Sequence, residues 1–169
     1  MAYHIDQLQP GMSASTSKTV TETDIILFAG ISTDVNPAHL DEEYCKGTMF
    51  GTRIAHGMLS AGFISATLAN KLRGPGTIYL SQTLKFKAPV KPGDTVTATV
   101  TVREVNLEKN RVILDTVCTV GGKTVIDGRA GGSIETVASG PPVPPDMKRM
   151  TGRILVWDPP HVFEHEWHQ

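Results

Sequence analysis

Residues 95–102, TVTATVTV, put a small or β-branched apolar side chain at every second position. That is the period of a strand buried on one face. The same Thr/Val/Ile-rich character runs through GTIYLSQTLKFKAPV (76–90), DTVTATVTVREVNLE (94–108), RVILDTVCTV (111–120) and KTVIDGRAGGSIETV (123–137), and the links KPGD and GGK have turn chemistry. Four successive strands on short links predict an antiparallel meander. STSKTV (15–20) predicts a separate first strand. Between them the period changes. Thr21 and Asp24 stand where an N-cap and an acidic first-turn residue belong, and Ile25, Ile26, Phe28 and Ala29 give a short helix one apolar side. Pro37 lacks a donor and pushes Asn36 out of the helical region, so STDVNPAH (32–39) predicts a turn. Asp41 then caps a short helix over EEYCKG. The longest helical segment is IAHGMLSAGFISATLANKL (54–72), apolar nearly all round and rich in Ala, Gly and Ser. Such a helix is expected to be buried, with small residues letting it lie close to other backbones.

The 169 residues suffice for one domain with a substantial core. A net charge of -1 argues against nucleic acid or an anionic membrane, both of which favour a strongly basic face. Cys45 and Cys118 belong to no CxxC pair or Cys/His cluster and read as free, buried thiols of a reducing compartment. No basic segment followed by an apolar run opens the chain, and no apolar run reaches membrane-spanning length, so a cytoplasmic protein is expected. His4, His161, His165 and His168 have no partner at ligand spacing and HVFEHEWH is not HExxH, so no metal is expected. ASGPPVPPDMK (138–148) reads as a Pro-rich linker. The expected organisation is one domain over 1–137, the linker over 138–148, and a tail over 149–169 whose structure the pattern leaves open.

The stretch FAGISTDVNPAHLDEEYCKGTMFGTRIAHGMLSAGFIS (28–65) resembles the hydratase motif of MaoC-like dehydratases, and in particular that of single-domain (R)-specific enoyl-CoA hydratases. Their Asp-x-Asn-Pro-x-His reads here Asp34-Val35-Asn36-Pro37-Ala38-His39, and their His-Gly-Met reads His56-Gly57-Met58. GTIYLSQTLKFKAPVKPGDTV is similar to the strand that lines the acyl-CoA tunnel in that family. The resemblance spans residues 8 to 137. It implies an α+β hotdog fold, an antiparallel sheet wrapped around a central buried helix, and a domain of the MaoC-like hydratase type over 1–137.

The implied chemistry is reversible addition of water across a trans-2-enoyl thioester, with coenzyme A entering as part of the substrate and no cofactor. A water must lose a proton as it attacks the β-carbon, the α-carbon must gain one, and charge on the thioester oxygen must be held. Asp34 is the expected base, with His39 orienting the water and shuttling the proton. The Asn36-Pro37 turn explains their spacing: helical neighbours lie three and four apart, so residues five apart diverge unless the chain folds back. Asn36 supports the turn through bonds from its side chain to the backbone. Gly57 opens the buried helix, where N–H groups are unpaired and a missing Cβ allows close approach, and the resemblance makes its N–H the oxyanion donor. Ser65 matches a polar residue near the catalytic pair and is given a supporting role. His56 reads as structural, hydrogen-bonding at the start of the helix. Taken singly, each has a plainer reading: an Asp in a turn, a surface or core His, a packing Gly. Their joint occurrence favours a site.

Other features stay open at this point. Lys85, Lys87 and Lys91 suit either coenzyme A phosphates or a solvated strand edge, the latter being favoured. Gly62 and Ala66 hint at room for a longer acyl chain. MTGRILVWDPPHVFEHEW (150–167) resembles a strand-pair fragment of START-like proteins of the Hsp90-activator-homology family, too short to build a core, and no activity follows from it. The resemblance also implies a homodimer or a dimer-based oligomer, and a place in fatty-acid metabolism or polyhydroxyalkanoate supply. Alternatives are a dehydratase for branched or dicarboxylic acyl-CoA or acyl-carrier-protein substrates, or a non-catalytic acyl-CoA-binding module. A thioesterase is disfavoured because HGMLSAGFISATLAN contains no acid.

Overall fold

In a computed structural model, residues 5–72 and 77–134 are described. The linker, the tail with its START-like fragment, residues 135–137, and His4, His161, His165 and His168 lie outside the described residues. Five strands form one antiparallel sheet: β1 Ser13–Thr19, β2 Thr77–Phe86, β3 Thr95–Asn106, β4 Arg111–Val120 and β5 Lys123–Ile134. Among the described residues a 3-10 turn Ile5–Gln7 and four α-helices precede β2: α1 Glu22–Ser32, α2 Pro37–Leu40, α3 Glu42–Lys46 and α4 Gly57–Thr67, which continues as a π-helical turn Leu68–Leu72.

The sheet order is β1-β3-β4-β5-β2, which corrects the expected four-strand meander. Only β3, β4 and β5 are sequential neighbours. β2 occupies the far edge beside β5, because residues 87–94 cross the fold instead of making a hairpin. Pro89 and Pro92 cannot donate to a ladder. Val90 instead accepts from the Ala55 N–H at 2.7 Å, tying the crossing to the segment before α4. The KPGD turn forms, with Gly93 at φ +91°, but it serves β1: Gly93 donates to the Val20 carbonyl and Val20 to that of Asp94.

The strict alternation of 95–102 is realised. Val96, Ala98, Val100 and Val102 are buried and meet Val112, Leu114 and Cys118 of β4, with Ile64, Leu68 and Leu72 from the helical side. Each large aliphatic side chain buried here contributes roughly 1.5–3 kcal/mol. α4 departs from expectation in one respect. Ser60, Ile64 and Thr67 are buried, whereas Met58, Gly62, Ser65 and Ala69, at helical spacing, are exposed. A single sheet covers one side of a helix, so among the described residues the other apolar face stays open. α1 likewise buries Ile25 and Ala29 but leaves Ile26 exposed, because one residue along a helix turns a side chain by about 100°.

The start of α1 carries a capping box. The Thr21 side chain accepts from the Asp24 N–H at 3.2 Å, and Asp24 Oδ2 accepts from the Thr21 N–H at 2.8 Å. Lys18 adds an ion pair at 2.8 Å. The Lys18 bond first, then the two Thr21 bonds, hold the Asp24 carboxyl at about 2. A folded-state value below the ordinary one contributes stability that is complete above about pH 5 and disappears as pH falls through about 2. Asp24→Ala is therefore expected to cost about 0.5–1 kcal/mol in urea unfolding at pH 7. Its deficit against the wild type should close near pH 2; a deficit independent of pH would refute the charge-based account.

Candidate active site

The turn after α1 is built by short local bonds. Ser32 Oγ donates to the Phe28 carbonyl at 2.7 Å and accepts from the Asp34 N–H at 3.2 Å. Thr33 then reverses the chain at φ +61°, a left-handed conformation strained for a β-branched residue. Asp34 Oδ1 accepts from the Asn36 N–H at 3.3 Å. Asn36 Oδ1 accepts from the Ala38 N–H at 3.0 Å and caps α2, whose first residue is Pro37. Asn36 therefore has the turn-holding contacts expected of it.

α2 presents His39. Its Nδ1 lies 2.8 Å from the Ile54 carbonyl, which only accepts, so Nδ1 carries the proton in that contact. The Nε2 lone pair is left facing Asp34, 3.9 Å from Oδ2. His56, buried at 2 % exposure, approaches from the N-cap of α4. It makes no side-chain cap; its Nε2 donates 2.9 Å to the backbone carbonyl of Asp34. Its structural role thus lies across the site instead of on its own helix. The His56 ring also stacks on His39 at 3.8 Å and touches Phe28 at 4.9 Å between centroids. Asp34, His39 and His56 are therefore gathered into one cluster, with Asp34 the exposed member and His39 the partly covered one.

Donor atoms of these three residues lie within 4.8 Å of one another. One nitrogen of each ring is committed to a backbone carbonyl, and His56 Nδ1 is buried with no hydrogen-bond partner among the described residues.

Gly57 is the first residue of α4, next to His56, and its N–H has no partner among the described residues. The Phe86 ring lies so close that a Cβ built on Gly57 would sit 2.5 Å from Cε1. The packing reading of this glycine is thus seen directly: the missing Cβ makes room for the Phe86 ring. Ser65 is placed differently. It lies two turns along on the exposed face of α4, and its hydroxyl makes no bond to Asp34 or His39 among the described residues. Lys87 sits 4.0 Å from Asp127 of the neighbouring strand, and Lys85 pairs with Asp127 in register, in keeping with a solvated edge. Both cysteines are free and buried, and burial pushes the Cys118 thiol up to about 11. Ile54 and Phe86 escaped sequence reasoning, and the spacing of Phe28 marks it only as part of the apolar side of α1.

The family model of the MaoC like domain matches residues 6–126. The chain belongs to the MaoC-like family. It is 59% identical over 128 residues to an (R)-specific enoyl-CoA hydratase of Rhodospirillum rubrum, covering 76% of this chain and 89% of that one. It is 45% identical over 127 residues to a 3-hydroxybutyryl-CoA dehydratase of Methylorubrum extorquens, covering 75% and 81%. Among solved structures, the unliganded R-hydratase PhaJ1 of Pseudomonas aeruginosa superposes with a TM-score of 0.73 at 44% identity, covering 83% of this chain and 94% of that one. The (R)-hydratase of A. caviae involved in PHA biosynthesis gives 0.74 at 38% identity, covering 76% and 98%. As a MaoC-like protein the chain has the hotdog fold and is a hydro-lyase, in line with both expectations.

Proposed function

We propose that this protein adds water reversibly across a trans-2-enoyl-CoA to give the (R)-3-hydroxyacyl-CoA. The supporting observation is the gap between His39 Nε2 and Asp34 Oδ2. At 3.9 Å it is too long for a direct hydrogen bond, yet one water can bond to both groups at about 2.8 Å. In hydration, that water attacks the β-carbon as Asp34 takes its proton, and His39 holds its lone pairs in line. The electron pair of the double bond moves toward the thioester oxygen, which the Gly57 N–H and the positive end of α4 stabilise. The proton taken from water is then delivered to the α-carbon, so no cofactor is consumed. Asn36 fixes the turn. Ser65, on the open face of α4, is assigned to the acyl-facing surface, where a Cβ on the neighbouring Gly62 would meet nothing within 4 Å.

The open apolar stripe of α4 and the edge strand β2, with Leu80 and Phe86 exposed, support a homodimer that joins two sheets and covers both helices. Among the described residues no helix is long and apolar enough to cross a membrane. With both cysteines free, we assign the protein to the cytoplasm. The test is loss of the enoyl-thioester ultraviolet band with crotonyl-CoA and octenoyl-CoA, followed by chiral analysis of the product and light scattering of the protein. An (R) product from a dimer is expected. A protein that binds both thioesters and leaves their absorbance unchanged would exclude hydration of simple acyl-CoA chains.

A further inference from the structure

Arg53 stands apart from the proposed catalytic groups, yet its side chain makes three charge-assisted bonds beside them. Its Nη1 and Nη2 fork onto the two carboxylate oxygens of Glu22 at 2.8 and 2.7 Å. Its Nε and its backbone N–H both donate to Glu42 Oε2 at 3.2 Å, and Thr52 Oγ1 donates to Glu42 Oε1 at 2.8 Å. The Thr52 hydroxyl, followed by the Arg53 N–H, draws the Glu42 carboxyl below its usual range, and the Glu22 bonds raise Arg53 further.

The two acids are anchors of the elements that flank the site. Glu22 is the first residue of α1, whose far end delivers Asp34. Glu42 is the first residue of α3, which follows the α2 turn bearing His39. The residue after Arg53 completes the connection: Ile54 donates to the Ala38 carbonyl at 3.1 Å and accepts from His39 Nδ1 at 2.8 Å. One guanidinium thus holds the starts of both flanking helices and the strand of chain that supplies the acceptor for His39.

We infer that Arg53 is a positioning residue for the hydration reaction: its clamp fixes the Ile54 carbonyl against His39 and so keeps the His39 proton on Nδ1, leaving the Nε2 lone pair toward Asp34. The inference rests on the function proposed above for its kinetic consequence, though not for the histidine state itself. Exposed ion pairs contribute little to stability, but a bidentate Arg–carboxylate pair confers directional precision. Lysine cannot reproduce it, since one ammonium cannot fork onto Glu22 and also reach Glu42.

The experiment compares full-length wild type with Arg53→Met, Arg53→Lys and Glu42→Gln. Crotonyl-CoA kinetics are measured alongside long-range proton–nitrogen NMR of the imidazoles, which reports which ring nitrogen carries the proton. Arg53→Met and Arg53→Lys are expected to lower kcat about 10- to 100-fold with KM changed less than about threefold, since a misplacement of about 1 Å can cost 10²-fold. The Nδ1–H form of His39 should give way to a mixture. If the arginine variants do not fold, Glu42→Gln, which keeps the Glu22 fork, carries the same expectation in a milder form. A folded variant whose His39 stays wholly in the Nδ1–H form overturns the inference, whatever its kcat. Wild type that fails to hydrate crotonyl-CoA would count against the proposed function alone, because the NMR comparison needs no substrate.

Discussion

Asp34→Asn is expected to lower kcat for crotonyl-CoA hydration by about 10²–10⁴-fold, the usual contribution of a general acid–base group, while leaving KM nearly unchanged. The substitution isolates the proton-accepting function. The backbone carbonyl that binds His56 is untouched, and the side-chain oxygen that accepts from the Asn36 N–H remains available. The Asp34 side chain is 53 % exposed, so stability should move by no more than about 0.5 kcal/mol. His39→Ala is expected to be as severe, but it also removes the Ile54 bond and the stack on His56, so its loss mixes chemistry with positioning. If the two groups share one water, the double variant should be little worse than either single one, because residues acting as a unit are not additive. Stopped-assay kinetics on the four proteins decide the matter. Retention of more than a tenth of wild-type kcat by folded Asp34→Asn would remove Asp34 from the role of base.

Local chemistry was legible in the chain. The caps at Thr21 and Asp41, the Asn36-Pro37 turn and the alternating core of β3 all follow from side-chain period and short-range hydrogen bonding, and all are found where the pattern puts them. The Asp34–His39 pairing was legible for the same reason, since the turn between them is a local device. What escaped depends on distant partners. The place of β2 beside β5 is set by pairing across the sheet, and a strand's own residues do not name its neighbour. The His56 bond reaches back 22 residues to Asp34, and the Arg53 clamp spans 31 residues to Glu22 and 11 to Glu42. α4 read as buried on every side because apolar composition does not say whether the covering surface comes from the same chain. Its Met58, Gly62, Ser65 and Ala69 stripe has the composition of an interior face, yet all four are exposed.

Gly57→Ala is expected to reduce kcat/KM by about 10²–10³-fold, the loss typical of removing one oxyanion donor. Two effects coincide at this position and can be separated. The new methyl would meet Phe86 Cε1 at 2.5 Å and Cδ1 at 2.8 Å, distances that force something to shift. Phe86 lies at the sheet edge and is 55% exposed, so its ring can swing outward, and the stability cost should stay near 1–2 kcal/mol. The catalytic cost is of another kind. On the proposed oxyanion role, with the Phe86 ring swung aside the methyl would crowd a thioester oxygen approaching the unpaired N–H at the start of α4. Combining Gly57→Ala with Phe86→Ala removes the clash and leaves the obstruction. Thermal unfolding of the double variant should therefore match that of Phe86→Ala alone, with activity still depressed about 10²-fold relative to it. Recovery of activity together with stability would mean that Gly57 serves only to accommodate the Phe86 ring, and the oxyanion donor would have to be sought elsewhere on the rim of the site.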